Sequence, residues 1–388
     1  MAKAKIIILF LFCMTVFWGK SSAISIFTCD EGFSNITIDP QNPEVVYAIG
    51  GDAIRSAIDG FSRNSDRSIH SSSLDLYKSI DGGDNWHIVT ENFPGVFLRI
   101  DPADSQVIYS GRHKSVDGGK TWNLMPSTTV LDQIGKASGR KVYPQIYSRD
   151  TKIQYLLTPE GSICKSTNGG SSWILMDNEE LGTCRTFVVD PNNSNVLYGY
   201  FERKMKDGNG KLLRNIYGKE YGTTGEIFKS SNGGKTWASS LPAVGIAGLM
   251  VDPGNSAIIY AITQSNGIYR SLDGGKQWNT INRGLPLPLR QSWFLIIDPV
   301  NSETIYTGTG QGVFISSDRG YSWHKFDAVG LPKNKSSYIN QLVINPQNPA
   351  IMYVGAGGRG IFKTIDGGTT WKLVKKGVIV KNDICKDY

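Results

Sequence analysis

The chain has 388 residues, and 41 lysines and arginines against 34 aspartates and glutamates give it a formal net charge of +7. That balance is mildly basic and, without a clustered patch, too weak to imply a nucleic-acid partner. Beyond residue 23 no apolar stretch approaches the ~20 residues that a membrane-spanning helix requires, which excludes a chain held in a bilayer by later helices.

Residues 1–23 carry Lys3 and Lys5, an apolar run from Ile6 to Trp18 and the small-residue ending Ser21-Ser22-Ala23. This order predicts a secretory signal peptide cut after Ala23. Cys13 lies inside the apolar run behind the bulky Phe12, so it does not read as a lipid-attachment site. The mature chain, 24–388, is expected to be secreted or periplasmic, with no stable membrane insertion. Losing Lys3, Lys5 and Lys20 lowers its formal charge from +7 to +4. It keeps Cys29, Cys164, Cys184 and Cys385 in a compartment that permits disulfides, and four cysteines allow three pairings.

Two short motifs then alternate along the chain. The first reads IDPQNPEVVY (38–47), IDPADSQVIY (100–109), VDPNNSNVLY (189–198), VDPGNSAIIY (251–260), IDPVNSETIY (297–306) and INPQNPAIMY (344–353), with a worn copy, SRDTKIQY, at 148–155. Each is followed by a glycine box that ends in tryptophan: SIDGGDNW (79–86), SVDGGKTW (115–122), STNGGSSW (166–173), SSNGGKTW (230–237), SLDGGKQW (271–278), SSDRGYSW (316–323) and TIDGGTTW (364–371). Seven copies account for seven of the nine tryptophans and make units averaging about 52 residues, so the repeat must be read before domains are counted.

Each unit reads as four short strands. An apolar run such as FLII (294–297) meets Asp-Pro, whose proline cannot donate to a ladder and whose preceding residue is pushed out of the helical region. A β-branched run ending in tyrosine follows, then a strand such as GIYRS (267–271), then the box, then a strand opening at tryptophan. Helical periodicity is nearly absent, so the fold is expected to be all-β. Within the box, Asp or Asn at the third place can bond backbone N–H groups, Ser or Thr at the first can bond across the turn, and the last glycine can take positive φ. Burying the indole contributes about 4 to 6 kcal/mol before entropy is charged. The box is therefore a structural staple.

In an antiparallel meander the Asp-Pro turns and the boxes share one end of each sheet, and the other connections share the opposite rim. Length varies at that rim. Tyrosine to box is 10 or 11 residues in units 3, 5, 6 and 7, 6 in unit 2, and 32 in units 1 and 4. The insertion at 50–77 is serine-rich and mixed in charge. The second, at 202–225, contains Arg203, Lys204, Lys206, Lys211 and Arg214, and its DGNG tip suggests a hairpin. The tip is not a calcium loop, because the twelfth position from Asp207 is Gly218 rather than glutamate. Crossings between units add Arg283, Arg290 and Trp293, and then Lys333, Lys335 and Tyr338. Together these residues predict a basic, aromatic-edged rim on which loops diversify over a rigid scaffold. It suits a protein or carbohydrate partner, with anionic groups paired by arginine. The same residues also read as ordinary solvated loop charges.

The box pattern resembles the Asp-box, or bacterial neuraminidase repeat, S-x-D-x-G-x-x-W, across essentially the whole mature chain. The resemblance implies a single seven-bladed β-propeller of four-stranded antiparallel blades over 24–388. Families built this way include sialidases, sortilin-type receptor domains, xyloglucanase-like glycosidases and photosystem II assembly factors. The last strand must then meet the first blade, which places Cys29 and Cys385 near one seam and suggests that they form a latch. By elimination Cys164 and Cys184 are left to pair, against the separation that their strand positions imply.

A sialidase would need three arginines, a tyrosine–glutamate nucleophile and an acid/base aspartate. The nearest string to its first arginine motif is FLRIDP (97–102), where Arg99 fills a strand position held by Thr37, Val188, Met250, Ile296 and Val343 elsewhere. No matching set of arginines can be assigned. Xyloglucanase-like enzymes use paired carboxylates across a cleft between two propellers, and this chain has residues for one. The histidines, His70, His87, His113 and His324, lack metal-ligand spacing, and no phosphate loop or nucleophile elbow is present. GAGGRG (355–360) reads as a tight turn. No catalytic residue, metal or cofactor is assigned. The sequence reads as a binding or assembly scaffold, with a glycoside hydrolase, sialidase-like or xyloglucanase-like, as the alternative.

Overall fold

The computed structural model describes residues 34–50, 74–95, 98–110, 113–124, 152–158, 161–176, 179–204, 223–242, 245–263, 266–286, 294–309, 311–326, 328–331, 339, 341–356 and 359–376. The signal segment, most of both insertions, Cys29 and Cys385 lie outside them. The fold is all-β, a seven-bladed β-propeller of antiparallel blades in which consecutive strands are neighbours. Blade 1 runs from Ser34 to Phe93, blade 2 from Arg99 to Leu124, blade 4 from Thr183 to Pro242, blade 5 from Ile246 to Thr280, blade 6 from Leu295 to Lys325 and blade 7 from Gln341 to Lys376. Three strands of blade 3, between Gln154 and Leu175, fall among the described residues. A 3-10 turn lies at Glu179–Leu181.

Two compact units divide the chain, one holding blades 3 to 5 and the other blades 1, 2, 6 and 7. Inside each unit the core is laid down between blades. Ile36, Ile38, Val46 and Ala48 of blade 1 pack with Tyr353 and Ile361 of blade 7. Tyr198, Tyr200 and Ile227 of blade 4 pack with Ile246, Leu249 and Val251 of blade 5. A blade covered on both faces needs apolar residues on both, which explains why second strands such as Val46–Gly50 are buried throughout instead of alternating.

The two motifs do share one end of each blade. Gly82 N donates to Glu44 O at 2.8 Å and Gly118 N to Gln106 O at 3.0 Å, so the box is tied to the preceding Asp-Pro turn of its own blade. The same bond recurs from Gly169 to Lys152, Gly233 to Asn195, Gly274 to Ala257, Arg319 to Glu303 and Gly367 to Ala350. Inside the box, Ser79 Oγ donates to Asp81 Oδ1 at 2.7 Å and accepts from Gly83 N at 2.7 Å, while Asn85 N donates to Asp81 Oδ1 at 2.9 Å. Gly83 holds φ at 90°, open to glycine, and its carbonyl accepts the Trp86 indole N–H at 2.8 Å. The tryptophan therefore closes the turn through a hydrogen bond as well as through packing.

The tyrosine that ends each first motif has a role that the sequence alone did not suggest. In blades 1, 4 and 7 its hydroxyl reaches the box of the next blade, Tyr47 to Gly118 O at 3.1 Å, Tyr198 to Gly274 O at 3.1 Å and Tyr353 to Gly82 O at 2.7 Å, while in blade 3 Tyr155 reaches Ser194 O at 2.9 Å, in the first motif of blade 4. The residue just before the box is lysine in five blades and lies over the same tyrosine ring, at 5.0 Å for Lys78 on Tyr47 and 5.2 Å for Lys229 on Tyr198. Lys229 also donates to Gly274 O at 2.9 Å. Blade 6 has Ile315 at this place, and its Tyr306 packs edge-on against Phe326 instead. The Cys164–Cys184 pairing left by elimination is corrected, since both are buried free thiols. Cys164 sits in the blade 3 strand Ile163–Ser166 and Cys184 in the first strand of blade 4, where its thiol donates to Thr186 O.

Candidate functional site

The repeated carboxylates spend their oxygens on turns. Asp117 accepts from the Thr121 hydroxyl and from the backbone N–H of Thr121 and Lys120, and its carboxyl is held at about 2, the Thr121 bonds being the main cause. Asp81 and Asp366 are lowered to about 2 in the same way, led by the Asn85 N–H and the Thr370 hydroxyl respectively. In blades 3 and 4 the place belongs to Asn168 and Asn232, whose Oδ1 atoms accept from Ser172 N at 2.8 Å and Thr236 N at 2.9 Å. An amide that does the same work shows that the position needs an acceptor and not a charge.

The Asp-Pro motif behaves alike. Asp39, Asp101, Asp190, Asp252 and Asp298 each cap the N–H two residues on, at 2.8 to 2.9 Å, and Asn345 does so in blade 7. The serine of the next blade's motif adds a cross-tie, Ser105 Oγ to Asp39 at 2.7 Å and Ser256 Oγ to Asp190 at 2.8 Å. These motifs build the frame, so any site must be formed by residues that the repeat does not share.

Blade 4 supplies such residues. Its second strand, Asn193–Lys204, is 12 residues long and pairs without interruption with Thr223–Ser230, up to Lys204 opposite Thr223. Alternation along this strand puts Tyr200, Glu202 and Lys204 on the face toward blade 5, and Phe201 and Arg203 on the other. Glu202 is nearly buried, with a side chain 5% exposed, and both its oxygens are engaged. Tyr200 Oη donates to Oε1 at 3.0 Å and Arg185 Nε to Oε2 at 2.8 Å. Tyr200 Oη in turn accepts from Gly245 N at 2.9 Å, at the head of blade 5. Burial pushes the Tyr200 hydroxyl up to about 12, with the Gly245 N–H opposing and the Glu202 carboxylate adding to the rise.

A tyrosine beside a glutamate has the makings of a glycosidase nucleophile. Here Tyr200 is 1% exposed and hydrogen-bonded on both sides, so the hydroxyl is a strut. The outward group is Arg185, whose side chain is 32% exposed. It occupies a β-bulge between Cys184 and Thr186, where the extra residue leaves the ladder and its side chain can be aimed afresh.

Among the rim residues expected from sequence, Arg203 and Lys204 are exposed at the end of the long strand. Arg203 Nε donates to Leu181 O at 3.2 Å, and its guanidinium lies 5.6 Å from the Phe228 ring. Arg283 is exposed in a turn whose backbone is tied to a box, its carbonyl accepting from Trp323 N at 2.9 Å. Lys206, Lys211, Arg214, Arg290, Trp293, Lys333, Lys335 and Tyr338 lie outside the described residues. Arg185, Tyr200 and Glu202 were missed as a group. Their signal was available, because each departs from what other copies of the repeat carry, but only the fold shows that they converge. Among the described residues no group of three or more His, Cys, Asp or Glu side chains is placed to hold a metal ion.

No family model matches the chain. A xyloglucanase, Xgh74A, from Acetivibrio thermocellus is 28% identical over 254 residues, covering 55% of this chain and 29% of the relative. The chain spans less than a third of the length of the curated relatives it matches. Among solved structures, the GH74 enzyme of Niastella koreensis aligns with a TM-score of 0.52 at 18% identity, over 88% of this chain and 58% of the enzyme. YCF48 bound to a D1 peptide aligns with a TM-score of 0.50 at 14% identity, over 88% of this chain and 95% of that protein. At these identities the structural likenesses show the fold alone.

Proposed function

We propose that this chain is a β-propeller binding scaffold of the Asp-box kind, acting outside the cytosol, whose rim opposite the boxes takes an extracellular glycan. One observation carries the reading. The carboxylates of the two repeated motifs cap turns, and amides do the same where aspartate is missing, whereas blade 4 extends a strand beyond the repeat and ends it in the exposed Arg203 and Lys204. The glycan is favoured over a protein partner by the sequence relatives, five of which are named for xyloglucan. The YCF48 complex offers the peptide-binding alternative on the same fold.

Those relatives also favour a second reading, a hydrolase that cuts xyloglucan. Incubating purified protein with xyloglucan separates the two. The scaffold retains polysaccharide in affinity electrophoresis and releases no new reducing ends; steady release would replace it with the hydrolase. Reversing charge together at Arg203, Lys204, Lys206 and Arg214 is expected to weaken capture of the partner without lowering the melting temperature. Unchanged capture would remove the basic insertion from the binding surface.

A further inference from the structure

Six of the seven blades place a base just before the box: Lys78, Lys114, Lys165, Lys229 and Lys363, with Arg270 in blade 5. Each lysine holds its ammonium 5.0 to 5.9 Å from the centre of its own blade's repeat tyrosine ring. The same nitrogen lies on the first glycine of the next blade's box, where a methyl added to Gly82, Gly118 or Gly274 would meet Lys363, Lys78 or Lys229 Nζ at 3.0, 3.5 and 3.0 Å. Lys229 shows the full set of contacts. It donates to Gly274 O at 2.9 Å; burial lowers its pKa, Lys276 adds to the fall, and Asp190 and Asp273 oppose it. The molecule itself shows what such a seam holds: an ammonium over a tyrosine ring, against a box glycine and near the aspartates of two motifs.

The seam from blade 6 to blade 7 keeps these partners and lacks the base. Ile315 stands in the lysine's place and stops at Cδ1, where a lysine would continue through Cε to Nζ. A methyl added to Gly367 would meet nothing within 4 Å. Tyr306 is buried, yet among the described residues its hydroxyl makes no hydrogen bond, unlike its counterparts in blades 1, 4 and 7. Phe326 meets the Tyr306 ring edge-on and lies directly against Gly368. Asp298 and Asp366 correspond to Asp190 and Asp273, and Asp298 adds to the rise to about 12 that burial gives the Tyr306 hydroxyl. Of the nearby bases, Lys363 is turned to blade 1, 3.8 Å from Asp84, and Arg319 has Glu303 at 3.5 Å. Two aliphatic side chains flank the place. Ile365 precedes Asp366 and Gly367, and Val329 bridges to Thr370; they are 70% and 64% exposed.

We infer that this seam is a receptor for a lysine side chain of a partner polypeptide. The ammonium takes the place that Lys229 fills between blades 4 and 5, on Gly367 and beside Asp298 and Asp366, while apolar neighbours of that lysine cover Ile365 and Val329. Charge complementarity selects the partner, because two carboxylates without the base that accompanies them in sibling seams are matched by a cation. The site lies at the box end of the blades and is independent of the glycan reading, which concerns the opposite rim.

The probes are a capped pentapeptide, acetyl-Gly-Leu-Lys-Val-Gly-amide, and its twin with the lysine Nε-acetylated, each titrated onto the full mature chain. Acetylation is expected to weaken binding at least about tenfold, the loss associated with one charge-assisted hydrogen bond, and added salt to weaken the unmodified peptide. Ile315→Lys fills the place from within, as five sibling blades do, and should abolish the preference while keeping or raising the melting temperature. Asp366→Asn keeps a box that folds, since Asn168 and Asn232 serve at the same position, and should reduce the preference. Asp117→Asn, at a seam already filled by Lys78, should leave it intact. Equal binding of the two peptides by the unmodified protein, or none, would overturn the receptor, as would a preference that survives Ile315→Lys or falls equally in both aspartate variants. A preference that emerges only when Lys333 and Lys335, outside the described residues, are replaced by alanine would also overturn it, because the chain's own segment then occupies the place.

Discussion

At the level of single residues the box aspartate takes its hydrogen bonds from within the box, and each member of the box can be tested. Trp323 is 2% exposed, whereas Trp278 is only partly buried. Trp323→Ala is therefore expected to cost about 3 to 5 kcal/mol, and Trp278→Ala distinctly less, when unfolding is followed in urea. The box aspartates give a pH signature. Asp117 titrates at about 2 in the folded chain against an ordinary 3.8, so its stabilising bonds are intact above about pH 4 and are lost as the pH falls toward 2. A variant with Asn at Asp81, Asp117 and Asp366 should flatten the decline of the melting temperature over that window, since Asn168 and Asn232 already serve without charge. This chemistry was legible in the sequence because it is local: eight consecutive residues contain every partner. Arg185, Tyr200 and Glu202 were not, because their bonds cross strands and a blade boundary, and no spacing rule connects position 185 to 202 or 200 to 245.

Between elements, stability lies in the joints. The seam from blade 7 to blade 1 joins Tyr353 to the Gly82 carbonyl, with Lys363 5.9 Å from the tyrosine ring. Tyr353→Phe removes that bond and leaves a carbonyl in a buried place, so a loss of about 1 to 3 kcal/mol is expected in denaturant titration. The next seam in blade order before it is fastened by other means. Ile315 replaces the lysine, and the chain at Val329 makes a parallel bridge to Thr370, with Trp371 N donating to Val329 O at 2.8 Å. Sequence located the tyrosines as strand ends but could not give them a partner, since each partner belongs to the following repeat. The number of blades, by contrast, could be counted directly from the boxes.

For the molecule as a whole the decisive contact is the one that joins its first blade to its last. Gln341, in blade 7, accepts from Ile36 N at 2.6 Å and donates to Ile36 O at 3.0 Å, so a side-chain amide completes a backbone pair. Gln341→Ala is expected to lower stability by about 1 to 3 kcal/mol in urea. The exposed Gln347, bonded to Pro40 and Gln41 at 3.5 and 3.3 Å, should matter much less when replaced by alanine. The partners in the amide pair stand 305 residues apart. A ribosome adding 5 to 20 residues per second needs roughly 15 to 60 s to span that interval. Throughout it the nascent first blade holds out Ile36, Ile38, Val46 and Ala48 with their cover still unsynthesised. Translation order thus makes the earliest blade the last to be sheltered, and sets a window in which a holding chaperone has a defined apolar target.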